Sequence, residues 1–149
     1  MELTLTLALP RDQRSVPLVR RILAGSLTTL GVAEESISDI EVALTEACSN
    51  VLKHTDGDEE YEVCCGIRGT HCLIKVIDRG VGFDAAREGL DEATPSAENG
   101  RGIQLMRALV DEVRFDHITG DGTVVQLEKQ LAWRTGAALS PLERGRPAS

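Results

Sequence analysis

The period of the apolar residues changes repeatedly along this chain, and the order of those changes leaves few folds open. Residues 2–9 alternate Leu3, Leu5, Leu7 and Leu9 with Thr4, Thr6 and Ala8, the two-residue period of a strand. Val16, Val19, Leu23, Leu27 and Leu30 then recur at helical spacing until Gly31. Ser15 is placed to cap this helix, with Pro17 in its first turn. A second helix is expected from about residues 33–36 to His54. "YEVCCGIRG" and "HCLIKVID" read as two strands with a hairpin-like joint at "RGT". From Arg79 to Asn99 the chain is acidic, dotted with glycine and weakly periodic, and a stretch that long in a small domain is expected to be a functional lid. "RGIQLMRALVDEV" restores a helix, and "EVRFDHI", "TGDG" and "TVVQLEKQL" complete an antiparallel pair. After Trp133 the composition turns to Ala, Gly, Pro and Arg. The expected organisation is one domain over 1–133 and a flexible tail over 134–149. The order β-α-α-β-β-lid-α-β-β predicts a two-layer α/β sandwich, with helices on one face of a mixed, mostly antiparallel sheet.

Composition removes several function classes. A chain of 149 residues suits a single core. No apolar run approaches the roughly 20 residues of a membrane helix, and "MELTLTLALP" lacks the basic start and cleavage pattern of a signal peptide, so the expected location is the cytoplasm. The net charge is −8 without a basic run, which argues against direct nucleic-acid binding, since phosphate neutralisation needs Lys and Arg. Cys48, Cys64, Cys65 and Cys72 make no C-x-x-C pair, and adjacent Cys64 and Cys65 point to opposite faces of a strand. Buried thiols are expected rather than zinc or a disulfide framework. The three histidines are scattered and add no metal signature.

Three segments depart from plain folding logic. The helix that holds "EVALTEACSNVLKH" (41–54) has Ile37, Ile40, Leu44, Ala47, Cys48 and Val51 as its core stripe. Glu46, Asn50 and His54 form a second stripe beside it, because four-residue spacing stacks side chains on one helix face. In "VIDRGVGFD" (76–84) a strand delivers Asp78, and Gly80 and Gly82 follow, where the missing Cβ atoms allow a flat ligand close to the backbone. In "ENGRGIQLM" (98–106) Gly100 and Gly102 open toward a helix, whose first N–H groups suit a phosphate. Each segment alone has an ordinary structural reading: a solvated helix edge, a strand-to-turn junction, a loop end. Their order along the chain, followed by Gly122–Thr123 entering the last strand, carries the functional reading.

That series resembles the Bergerat-fold ATPases, the group of gyrase, the ninety-kilodalton heat-shock chaperone, histidine kinases and mismatch-repair proteins. "LTEACSNVLKH" looks like the family's N box, "DRGVGFD" like its first glycine box and "NGRGIQLM" like its second. The resemblance implies ATP and Mg²⁺ as cofactors. It implies that Asn50 binds Mg²⁺ bridging the phosphates and that Asp78 accepts the adenine amino group. Gly80 and Gly82 make room for the base, Gly100 and Gly102 hinge the lid and meet phosphate, and Thr123 joins the water-mediated adenine contacts. Arg101 is a further phosphate candidate, and Lys53 or His54 a weaker one.

The small size, with "TEACSN" and "GRGIQLMRALVDEV", is similar to the stand-alone anti-sigma-factor serine/threonine kinases of bacteria. In that resemblance Glu46 is the general base for a Ser or Thr hydroxyl on a small anti-anti-sigma partner, a sigma factor is the sequestered protein, and the kinase is a homodimer. Arg20 and Arg21 match a position that presents arginine to protein partners, although a solvated helix face explains them equally. Two other readings compete. One is a nucleotide-gated binding module without useful phosphotransfer. The other is a detached histidine-kinase catalytic domain, disfavoured by the short lid and by the expectation that no phosphoacceptor helix precedes the domain.

Overall fold

The structure, a computed structural model, describes residues 2–53, 60–78, 97–118 and 122–137. Strand β1 (Glu2–Leu9) leads into α1 (Ser15–Leu30) and α2 (Glu34–Lys53). Strands β2 (Tyr61–Arg68) and β3 (His71–Asp78) form a hairpin. Its joint is Gly69–Thr70, and Gly69 supplies a φ of 62°, a left-handed conformation that glycine adopts without strain. Helix α3 (Ala97–Leu109) and strands β4 (Glu112–Ile118) and β5 (Gly122–Gln130) follow.

The five strands form one sheet in the order β1-β2-β3-β5-β4. Every pairing in it is antiparallel, where a mixed sheet was expected. The reason is topological: β5 returns between β3 and β4 and keeps those two codirectional strands apart. The two layers are as anticipated. Tyr61, Val63, Cys65 and Ile67 on β2 and Cys72, Ile74 and Val76 on β3 are buried under the helices. The core stripe of α2 is buried at every position that its spacing assigned to it, from Ile37 to Val51.

Local chemistry sets the helix ends. Gly31 ends α1 at φ 97° and ψ 16°, its N–H donating to the Thr28 carbonyl while the Val32 N–H donates to that of Leu27. This is the Schellman arrangement. Ser15 is not the N-cap that its position suggested: Arg14 stands there without a side-chain cap bond. The Ser15 hydroxyl instead donates to the Asp12 carbonyl at 2.6 Å and lies 2.6 Å from the Tyr61 hydroxyl. Over the sheet, Lys129 on β5 reaches Asp39 on α2 at 3.2 Å and donates to the Leu109 carbonyl at the end of α3 at 2.7 Å, which ties both helices to one strand.

The thiols behave as packing groups. Cys65 and Cys72 are buried with their Sγ atoms 3.6 Å apart, and Cys64 lies on the opposite face. Beyond β5 the chain returns to α1: the Arg134 N–H donates to the Gly31 carbonyl, and its guanidinium donates to that of Thr28, both at 2.8 Å. The contacts of the fold thus reach Ala137, past the expected start of the tail at 134; residues 138–149 lie outside the described residues. So does the expected lid over 79–96, while 97–99, also expected in it, form the first turn of α3.

Candidate functional site

Along β3 the core-facing row reads Cys72, Ile74, Val76, Asp78. Two-residue periodicity therefore carries a carboxylate onto the buried face at the last position of the strand, with 1% of the residue exposed. A carboxylate that deep needs a partner. Arg11, in the β1–α1 connection, supplies one: its Nη2 donates to Asp78 Oδ1, and the two side chains are only 3% and 2% exposed.

The neighbours of Asp78 are set by strand register. Tyr61 lies opposite it on β2 and Thr123 opposite it on β5. The Tyr61 hydroxyl meets Ser15 and also Cys48 on α2. Burial pushes the Tyr61 phenol up to about 12, against its hydrogen bond with Ser15, and pushes the Cys48 thiol up to about 12, against its bond to Tyr61. Both groups are neutral at physiological pH. The contact between Cys48 and Tyr61 joins the strand-end cluster to the middle of α2. Glu46 and Asn50, both half-buried, stand two residues before and two after Cys48, one helical turn from each other.

Helix α3 closes this face of α2. It begins at Ala97, four residues earlier than the sequence suggested. Ala97 and Glu98 are good helix formers, and they extend the helix backwards through Asn99 once α3 packs on α2. Gly100 is thus the fourth residue of α3, within the turn whose N–H groups have no intrahelical partner. Gly102 is the sixth, and its N–H falls within the helical hydrogen-bond ladder. Its part in the site is therefore one of space. Gly102 is buried, and a Cβ built on it would stand 3.0 Å from Glu46 Oε2 and 3.9 Å from Asn50 Oδ1. The glycine lets α3 approach until its backbone lies against the acid and the amide.

Arg101 is exposed, as is Lys53 at the end of α2. Arg20 lies 3.8 Å from Glu41 on α2, and Arg21 is exposed beside a shallow groove that Leu3 and Leu30 also line. Gly80, Gly82 and His54 lie outside the described residues. Among the sequence candidates the structure brings Glu46, Asn50 and Gly102 together, and separately Asp78 and Thr123. It adds Arg11 and Tyr61, which the sequence marked for nothing, and Ser15, which the sequence marked only as a helix cap. The Asp78 contact of Arg11 spans 67 positions, and no local pattern marks such a pair.

Glu46 and Asn50 offer a carboxylate and an amide oxygen, hard donors of the kind Mg²⁺ prefers. Among the described residues no cluster of three or more His, Cys, Asp or Glu side chains forms a metal cage.

Among the described residues an antiparallel sheet lies under three helices, with a polar α2 stripe facing a glycine of α3 and a buried acid at the end of β3, an arrangement of the α/β class. Over residues 9–129 the chain matches the histidine kinase-like ATPase domain, and it belongs to that family. It is 31% identical to the serine-protein kinase RsbW of Bacillus velezensis over 134 residues, 83% of this chain and 82% of that one. Against RsbW of Bacillus subtilis it is 30% identical over 122 residues, covering 74% and 76% of the two chains. Among solved structures, the RsbU and RsbW domains of Rv1364c from Mycobacterium tuberculosis share the fold, with a TM-score of 0.67 and 24% identity. The match covers 89% of this chain and 34% of that larger one.

Proposed function

We propose that this protein is an ATP-dependent serine/threonine kinase of the anti-sigma type. It phosphorylates a small anti-anti-sigma protein and holds a sigma factor. The observation that carries the reading is the Glu46–Asn50–Gly102 contact: an acid and an amide one helical turn apart, fitted against the backbone of a second helix. The kinship with serine-protein kinases RsbW supports it.

In this reading Glu46 accepts the proton of a partner Ser or Thr hydroxyl as that oxygen attacks the γ-phosphorus of ATP, and ADP leaves. Asn50 supplies its amide oxygen to Mg²⁺. The ion, when bound, offsets charge on the phosphates. Gly100 and Arg101 belong to the phosphate side of the site, and Asp78, Thr123, Gly80 and Gly82 to the base side. The residues serve mostly to position and to stabilise charge, as phosphoryl transfer requires. The protein works in the cytoplasm as a homodimer, with the edge strand β1 available for pairing; among the described residues no helix is long and apolar enough to cross a membrane.

Glu46→Gln tests the mechanism. Fold and Mg-ATP binding should survive, while single-turnover phosphotransfer falls by roughly two to four orders of magnitude, the range for a positioned general base. Asn50→Ala should instead lose metal-assisted nucleotide binding along with transfer. Wild-type transfer rates in Glu46→Gln would remove Glu46 from the chemistry. A wild type that binds ATP and a sigma factor, yet phosphorylates none of its candidate partners, would make the protein a nucleotide-gated binder.

A further inference from the structure

Arg11 has no part in the reading above, yet it holds the carboxylate on which that reading depends. Its segment is braced from several sides. The Asp12 N–H donates to the Pro10 carbonyl at 2.8 Å, the Ser15 N–H to that of Asp12 at 2.8 Å, and the Arg14 guanidinium grips the Asp12 carboxylate at 2.6 Å. Ser15 then ties the segment to Tyr61, the strand neighbour of Asp78. Arg11 thus enters the strand-end cluster from a fixed backbone, and its positive charge bears on Tyr61 as well as on Asp78.

Two roles are conceivable for a guanidinium on this carboxylate. It is either a latch that an arriving base displaces, or a permanent part of the base site. Energetics decides between them. Separating a buried ion pair leaves an uncompensated charge in a dry site, which costs more than a neutral amino group returns by hydrogen-bonding to a charged acceptor. The pair therefore persists when the base binds. A carboxylate has two oxygens and about four lone-pair directions, so one guanidinium contact does not exhaust it.

We propose that Arg11 is the base-selectivity residue of the nucleotide site: it keeps Asp78 an ionised, fixed acceptor, so that the site takes a 6-aminopurine and turns away a 6-oxopurine. The inference rests on the nucleotide reading of Asp78 given above. The physical contrast is simple. An ionised carboxylate only accepts, which suits the amino group of adenine and opposes the exocyclic carbonyl oxygen at the 6-position of hypoxanthine. A buried carboxyl without its guanidinium is more stable neutral, and a neutral acid donates as readily as it accepts. Among the described residues beside Asp78, Tyr61 on β2 and Cys48 on α2 are both neutral, and the uncharged Thr123 stands opposite on β5.

The test compares Mg-ATP and Mg-ITP, whose bases differ at the 6-position, by calorimetry on the wild type and on Arg11→Gln. Wild type should prefer ATP by at least about tenfold. Arg11→Gln should lose about tenfold or more in ATP affinity and change less than about threefold for ITP, so that the preference collapses. Equal weakening of both nucleotides would mark Arg11 as merely structural and overturn the proposal. Tighter ATP binding in Arg11→Gln would make it a latch and overturn it too. Because Arg11→Gln removes a buried charge and is at risk of not folding, a wild-type measurement stands beside it. By NMR, the Arg11 Nε–H should exchange slowly with water both free and with Mg-ADP bound; rapid exchange only in the bound state overturns the proposal. A wild type that binds neither nucleotide overturns the nucleotide reading itself. A wild type that prefers ATP, with the ratio unchanged in the variant, overturns only the role of Arg11.

Discussion

Asp78 answers to two demands at once. As the end of a core-facing row it must be neutralised, and Arg11 does that. As the base acceptor of the proposed site it must still present oxygen to a ligand. Asp78→Asn separates these demands. The amide takes the Asp78 charge away from the buried Arg11 guanidinium, so stability should fall by roughly 3–5 kcal/mol. At a temperature where the variant is still folded, ATP affinity should weaken by a further 1–3 kcal/mol, roughly the penalty for a mismatched polar contact. Urea unfolding and titration calorimetry measure the two effects. An Asp78→Asn protein with wild-type ATP affinity would remove Asp78 from the base site. At this scale Glu46 and Asn50 were legible as a polar stripe at four-residue spacing, and Asp78 as the acid that ends a strand just before two glycines. Arg11 was not, since a charged residue after a strand is ordinary until its partner 67 positions away is known.

Between elements, the close approach of α3 to α2 rests on Gly102. Alanine there should help the helix by about 1 kcal/mol, since glycine is a poor helix former. Its Cβ would stand 3.0 Å from Glu46 Oε2, and the carboxylate, at the end of a flexible side chain, would move aside by a few tenths of an ångström. Gly102→Ala should therefore melt no lower than wild type yet transfer phosphate about tenfold or more slowly, because small displacements of a reacting group are expensive. Thermal melts with single-turnover assays check this, and undiminished transfer would show that the contact is packing only. The sequence marked Gly102 as special but for another reason. Its pattern suggested a loop glycine offering an N–H to phosphate, whereas the helix begins at Ala97 and occupies that N–H. Helix ends are set partly by tertiary packing, so local spacing misplaces them by a few residues.

For the whole molecule, the buried neutral phenol and thiol link stability to alkaline pH. Tyr61 and Cys48 both ionise at about 12 in the fold, against about 10 and 8.5 in an unfolded chain. Raised folded values mean that the unfolded chain gives up these protons first. Their contribution is fully present below about pH 8.5 and is lost as pH rises through 9 to 12. Urea midpoints should decline across that window, and Tyr61→Phe should decline less steeply, having one proton fewer to release. Equal slopes would show that Tyr61 is not the linked group. The sequence by itself determined the element types, the two-layer arrangement and the α2 stripe, because hydrophobic period and glycine placement are local and face the core at fixed intervals. Only the tertiary structure decided that the sheet is wholly antiparallel, that α3 touches Glu46 through a glycine and that Arg11 sits on Asp78. These depend on which strand is inserted between which others and on contacts between residues far apart in the chain, and no local period encodes either.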